Sequence, residues 1–120
     1  MASALNRKKL ARAARALNAA CSRRDLPALI LMTDQARVPD PAAAARALPR
    51  GSAVILRHTE AKARAALACE LIEIAHASGL ILLIAADAPL AAEIGAHGLH
   101  LPEARVREAA HWRAPNARPR

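Results

Sequence analysis

After Pro27, short apolar runs alternate with longer stretches in which apolar residues return every three or four positions. The first run, Ala28–Met32, has the length of a buried strand and ends in the polar pair Thr33-Asp34. Pro41 then opens an alanine-rich helix expected to run to about Leu48, since proline fits a first helical turn where its missing N–H has no partner to lose. Pro49-Arg50-Gly51 breaks that helix, and Ala53–Leu56 is the second strand. Thr59 is predicted to cap a helix from Glu60 to about Ser78, with Ala63, Leu67, Leu71 and Ile74 as its buried stripe and Gly79 as its stop. Leu80–Ala85 is the third strand, Pro89–Ile94 a short helix closed by Gly95, and Gly98–Leu101 the fourth strand. Pro102 opens a last helix that fades near Trp112.

Strands that are apolar on both faces and separated by helices call for a parallel sheet covered by those helices. Right-handed crossovers place all the helices on one side if each new strand is added at the same edge, which makes half of a barrel. The expected class is therefore α/β, an incomplete TIM-type (β/α)8 barrel of about four β-α units preceded by an N-terminal helix. A complete barrel takes about 250 residues, whereas this chain has 120. One sheet face and two parallel edges should stay open, and self-association is the expected remedy. Periodicity alone also admits a doubly wound sheet. No Gly-rich phosphate loop supports that alternative, because Gly51, Gly79, Gly95 and Gly98 form neither G-x-G-x-x-G nor a P-loop.

Ahead of the alternating region, Ala4 to Arg24 contains no proline or glycine, and Leu5, Leu10, Ala14, Leu17 and Cys21 recur near helical spacing. Of the net charge of +8, residues 1–27 supply +6, with seven Lys/Arg against Asp25 alone. The basic character thus belongs to an arm on a nearly balanced body. Packing of the Leu/Ala stripe against the body, with the basic face in water, is the first expectation. Contact with nucleic acid or an acidic surface, and a targeting peptide, are the other uses open to it. The chain divides accordingly into a basic amphipathic helix at 1–26, the half-barrel at 27–112 and a polar tail at 113–120.

Composition adds bounds. Much of the 54% hydrophobic fraction is alanine, which buries little area per residue, so the core should be thin. No apolar run reaches membrane-spanning length, the longest being Leu80 to Ala86. The two cysteines, Cys21 and Cys69, lie on helical segments without disulfide or zinc spacing; Cys69 is expected in the core, and a reducing cytoplasm fits.

Candidate chemistry gathers at strand ends, where barrel enzymes place it. Arg57 is an anion contact and His58 a proton carrier, both following the second strand. His97 and His100 flank Gly98-Leu99 and should point to opposite faces, which argues against a shared metal; His100 is expected at the barrel mouth or in the core. Asp87 either takes part in ligand binding or caps the helix after it, and Asp34 faces a similar choice.

Three strings, Leu29-Ile-Leu-Met-Thr-Asp34, Val54-Ile-Leu-Arg57 and Ile94-Gly-Ala-His-Gly-Leu-His-Leu101, resemble successive landmarks of the thiamine phosphate synthase/TenI family: L-Y-L-I-T-D, V-Q-L-R-E-K and V-G-A-D-G-V-H-L-G-Q. The resemblance implies a barrel fold, a small phosphorylated substrate and a place in thiamine biosynthesis. The implied activity is either transfer of a pyrimidine-methyl group onto a thiazole phosphate, with magnesium neutralising the departing diphosphate, or thiazole tautomerisation. Arg57 matches the family arginine. Ile55 stands where the family has glutamine, and Thr59 where it has lysine. The two family magnesium carboxylates fall on Ala86 and Arg105, with Asp87 one place late, so no cofactor is expected. The chain also ends at Arg120, ahead of strands five to eight, and reads as truncated. By itself it is not expected to be a competent enzyme. The implied site is His58 and His100 as catalytic groups, Arg57 and Asp87 as substrate contacts, and no metal. The alternative reading is a non-catalytic basic module that contacts nucleic acid or an acidic protein through residues 1–24.

Overall fold

A computed structural model describes residues 4–20 and 26–108. Cys21, His111, Trp112 and the polar tail expected at 113–120 lie outside the described residues. Four strands form one sheet in the order β1 (Ile30–Met32), β2 (Ala53–Leu56), β3 (Ile81–Ala85), β4 (Gly98–His100), and every neighbouring pair is parallel. The helices are α1 (Ala4–Ala20), α2 (Pro41–Arg46), α3 (Ala61–Ser78) and α4 (Ala88–Ile94). Strand order that follows chain order is the barrel-type arrangement; a doubly wound sheet would reverse it.

The register shows where the helices lie. Leu31 pairs with Val54 and Val54 with Leu82, while Leu56 pairs with Ile84. These residues share one sheet face, and all belong to or pack on the core together with Ala42 and Ala45 of α2, Ala68, Leu71, Ile72, Ile74 and Ala75 of α3, and Leu90 of α4. The helices α2 to α4 therefore cover a single face. The opposite face carries Ile30 and Met32 of β1, both exposed, while Ile55 of β2 is buried. Gly98 lets Leu83 pack close, since a Cβ there would come within 2.8 Å of Leu83 Cδ2 and push that methyl aside.

Local signals set the helix ends. The Asp40 carboxylate accepts from Ala43 N at 3.1 Å ahead of Pro41, and Asp87 Oδ1 accepts from Leu90 N at 3.1 Å ahead of α4. Gly79 ends α3 in the left-handed region at φ 66°, and a side chain there would also collide with Arg50 Cγ at 2.7 Å.

The structure corrects several expectations. Glu60 caps α3 in place of Thr59, its two carboxylate oxygens accepting from Lys62 N and Ala63 N at 3.1 and 2.6 Å. The helix expected after Pro102 is a 3-10 helix over Glu103–Glu108. Ala63 and Cys69 are exposed, because the buried stripe of α3 runs through Ala68, Leu71, Ile72, Ile74 and Ala75. On α1 the stripe expected to pack is largely in water: Ala14 is buried, but Leu10 and Leu17 are exposed. No described helix is long and apolar enough to cross a membrane.

Candidate functional site

A cleft of about 560 Å³ opens at the C-terminal ends of the strands. Met32 ends β1, Arg57, His58 and Thr59 follow β2, Ala85 to Asp87 end and follow β3, and His100 and Pro102 come from β4 and its loop. Arg64 reaches the cleft from the first turn of α3. Parallel strands aim all of these loops at one end, which is why residues distant in sequence share one wall.

All four residues singled out by sequence, Arg57, His58, Asp87 and His100, line this cleft. Arg57 is exposed, and its guanidinium has no hydrogen bond or ion pair among the described residues. It is the available cation. His58 is half-buried, with Nδ1 3.1 Å from Thr33 Oγ1, and the same oxygen accepts from Arg57 N at 2.8 Å. Thr33 is 1% exposed, so β1 delivers a buried hydroxyl to the base of the Arg57-His58 loop. His100 is half-buried, and its carbonyl accepts from Ala86 N at 2.8 Å, which ties the β3 loop to β4. His97 lies outside the cleft: its Nδ1 accepts from Leu82 N at 3.0 Å, and its ring meets His76 edge-on at 6.1 Å between centroids.

Asp87 is occupied. One oxygen caps α4 and the other accepts from Arg64 Nε at 3.0 Å, with Arg64 Nη2 also at 3.0 Å. Arg64 Nη1 donates to the carbonyls of His58 and Thr59 at 3.2 and 3.0 Å. One guanidinium thus ties the β2 loop to the β3 loop. Sequence reasoning missed Arg64, although a signal was present. Lys62 and Arg64 stand in the first turn of α3, at the positive end of the helix dipole, a position that favours carboxylates. A cation placed there calls for a carboxylate from elsewhere. Thr33 was missed as well, because a threonine after a strand looks like an ordinary loop residue.

Asp34 is not part of the cleft lining and forms a local turn. Its Oδ1 accepts from Ala36 N and Arg37 N at 2.9 and 3.2 Å, and these N–H groups, with smaller help from the Arg37 and Arg57 charges, hold its carboxyl below the usual range. Among the described residues no three His, Cys, Asp or Glu side chains come together as a metal-binding group. Ala86 is backbone-strained at φ 55°, and its carbonyl accepts from Arg105 Nη1 at 3.1 Å.

In comparisons with known proteins, a family model described as thiamine monophosphate synthase matches residues 29–117. Neither the curated proteins nor the solved structures give a match.

Proposed function

The chain belongs to the thiamine monophosphate synthase family, and on that premise we propose that its cleft binds a phosphorylated thiazole or pyrimidine precursor of thiamine. Arg57 supplies the charge for the phosphate, while His58 and His100 are the groups placed to move protons. The observation that carries this reading is Arg57 itself, a guanidinium that makes no hydrogen bond or ion pair among the described residues, at a cleft lined from all four strand ends. A charge-assisted hydrogen bond to phosphate is the strong kind, and the planar fork of arginine suits it.

The same reading makes the chain a binder whose own catalysis is impaired. Isoleucine and threonine at positions 55 and 59 replace two polar family anchors. Among the described residues the family's magnesium positions have no holder: Ala86 and Arg105 offer no carboxylate, and both oxygens of Asp87 are engaged. Oxygen ligands are what that ion requires. Asp87 accordingly serves the wall of the cleft by fixing Arg64. Self-association that covers the open sheet face, and a cytoplasmic location, complete the reading.

Calorimetric titration with hydroxyethylthiazole phosphate and with its free alcohol is the test. The phosphate should bind in the absence of magnesium and the alcohol should not. Arg57→Ala should weaken the phosphate about tenfold or more, as expected when a charged hydrogen bond of about 1.5–3 kcal/mol is removed. Equal binding of phosphate and alcohol sinks the proposal.

A second reading draws on α1. Lys8, Lys9, Arg12 and Arg15 are exposed on the same helix as the exposed Leu10 and Leu17. Such a face suits nucleic acid or an acidic protein. Salt-sensitive binding to a polyanion that disappears on deletion of residues 1–24 would favour it.

A further inference from the structure

Behind the cleft wall lies a polar arrangement that phosphate binding by Arg57 leaves unexplained: the buried Thr33 hydroxyl between the Arg57 backbone and the His58 ring. Thr33 Oγ1 accepts from Arg57 N at 2.8 Å and lies 3.1 Å from His58 Nδ1. The residue is 1% exposed, so water does not reach the hydroxyl freely, and its proton needs an acceptor inside the protein. Among the described residues the hydroxyl's hydrogen-bonding contacts are the Arg57 amide, which is itself a donor, and His58 Nδ1. The hydroxyl therefore donates to Nδ1, and Nδ1 carries no hydrogen in the neutral ring.

We propose that Thr33 is a positioning residue that locks neutral His58 in its Nε2–H tautomer, so that the ring presents a hydrogen-bond donor to a phosphate monoester held by Arg57. The inference rests on the phosphate-binding reading for its ligand, while the tautomer follows from the protein alone. His58 lines the cleft with Nδ1 already used, which leaves Nε2 for a ligand, and that nitrogen bears the hydrogen. Arg57 and His58 are consecutive, and the single Thr33 oxygen fixes the backbone of one and the ring of the other. Charge and donor are set together. One consequence divides the proton-moving roles of the two histidines: neutral His58 offers the cleft a donor nitrogen, and His100 is the one left to accept a proton.

Nitrogen-15 labelling of histidine, with long-range proton–nitrogen correlation at about pH 8, reads the tautomer directly; His58→Gln assigns the signals among the five histidines. The expected result is a pyridine-like Nδ1 and a pyrrole-like Nε2 for His58. Thr33→Val should mix the tautomers and weaken the binding of inorganic phosphate about tenfold. Thr33→Ser, which keeps the hydroxyl, should restore both. A pyrrole-like Nδ1 in the unmodified protein overturns the inference. So does Arg57-dependent phosphate binding that Thr33→Val leaves unchanged, while the binding reading survives. Absence of phosphate binding with the Nε2–H tautomer present sinks the binding reading and the donor role, and leaves only the lock. Should Thr33→Val fail to fold, the signals of the unmodified protein and of Thr33→Ser still decide.

Discussion

Two residues beside the cleft, Ala86 and Asp87, carry more structural duty than their size suggests. Ala86 sits in the left-handed region at φ 55° with both backbone polar groups engaged, by His100 O and Arg105 Nη1. That conformation costs an L-residue about 1–2 kcal/mol, and glycine avoids the cost while losing about 0.5–1 kcal/mol of backbone entropy. Ala86→Gly should therefore raise stability by up to about 1 kcal/mol in urea denaturation, whereas Ala86→Val should lower it, since branching worsens the strain. Asp87 joins a cap to an ion pair. Asp87→Ala should cost about 1–2 kcal/mol by the same measurement. Asp87→Asn should cost less, because an amide oxygen still caps α4 while the charge facing Arg64 is lost.

At the scale of elements, α3 organises the molecule. Its eighteen residues span roughly 27 Å, whereas a four- or five-residue strand spans roughly 15 Å, so one end overhangs the sheet. The overhanging first turn explains both the exposure of Ala63 and the reach of Arg64 into the cleft. Glu60 closes that turn. The Ala63 and Lys62 N–H groups hold its carboxyl below the usual range, with a smaller contribution from the Arg64 charge. A carboxylate lowered in the folded state adds stability above its unfolded value, and that stability is lost as pH falls through the folded value. The urea midpoint should accordingly decline in acid, below the ordinary value of 4.5 for this group. Glu60→Gln should flatten the decline by a small but measurable amount. Gly79→Ala should be more severe, because positive φ and the Arg50 side chain both oppose a Cβ.

At the scale of the molecule, four parallel units give a sheet with helices on one face, while Ile30 and Met32 stand exposed on the other. Parallel sheets are ordinarily covered on both faces, and β1 and β4 have no further strand among the described residues. On the proposed reading the partner is a second copy, whose sheet has the matching character. Light scattering should then find a species larger than one chain, and Ile30→Lys should shift it toward the monomer by placing a charge on the open face. A monomer unaffected by the substitution would contradict self-association through this face.

Much of this organisation was legible beforehand. The β2 bounds, the proline-led starts, the glycine stops and the parallel alternation follow from backbone sterics and from apolar period, which act within a few residues. Arg57, His58, Asp87 and His100 could be picked out because each ends or follows a strand, and parallel strands carry their ends to one side. What the fold alone decided involves pairs far apart in the chain. The exposure of Cys69 depends on which face of α3 meets α2, α4 and the sheet. Arg64 met Asp87 across 23 positions, and Thr33 met His58 across 25. Sequence set the backbone conformations and the period, which are local; partner choice for buried polar groups required the strands to be paired first.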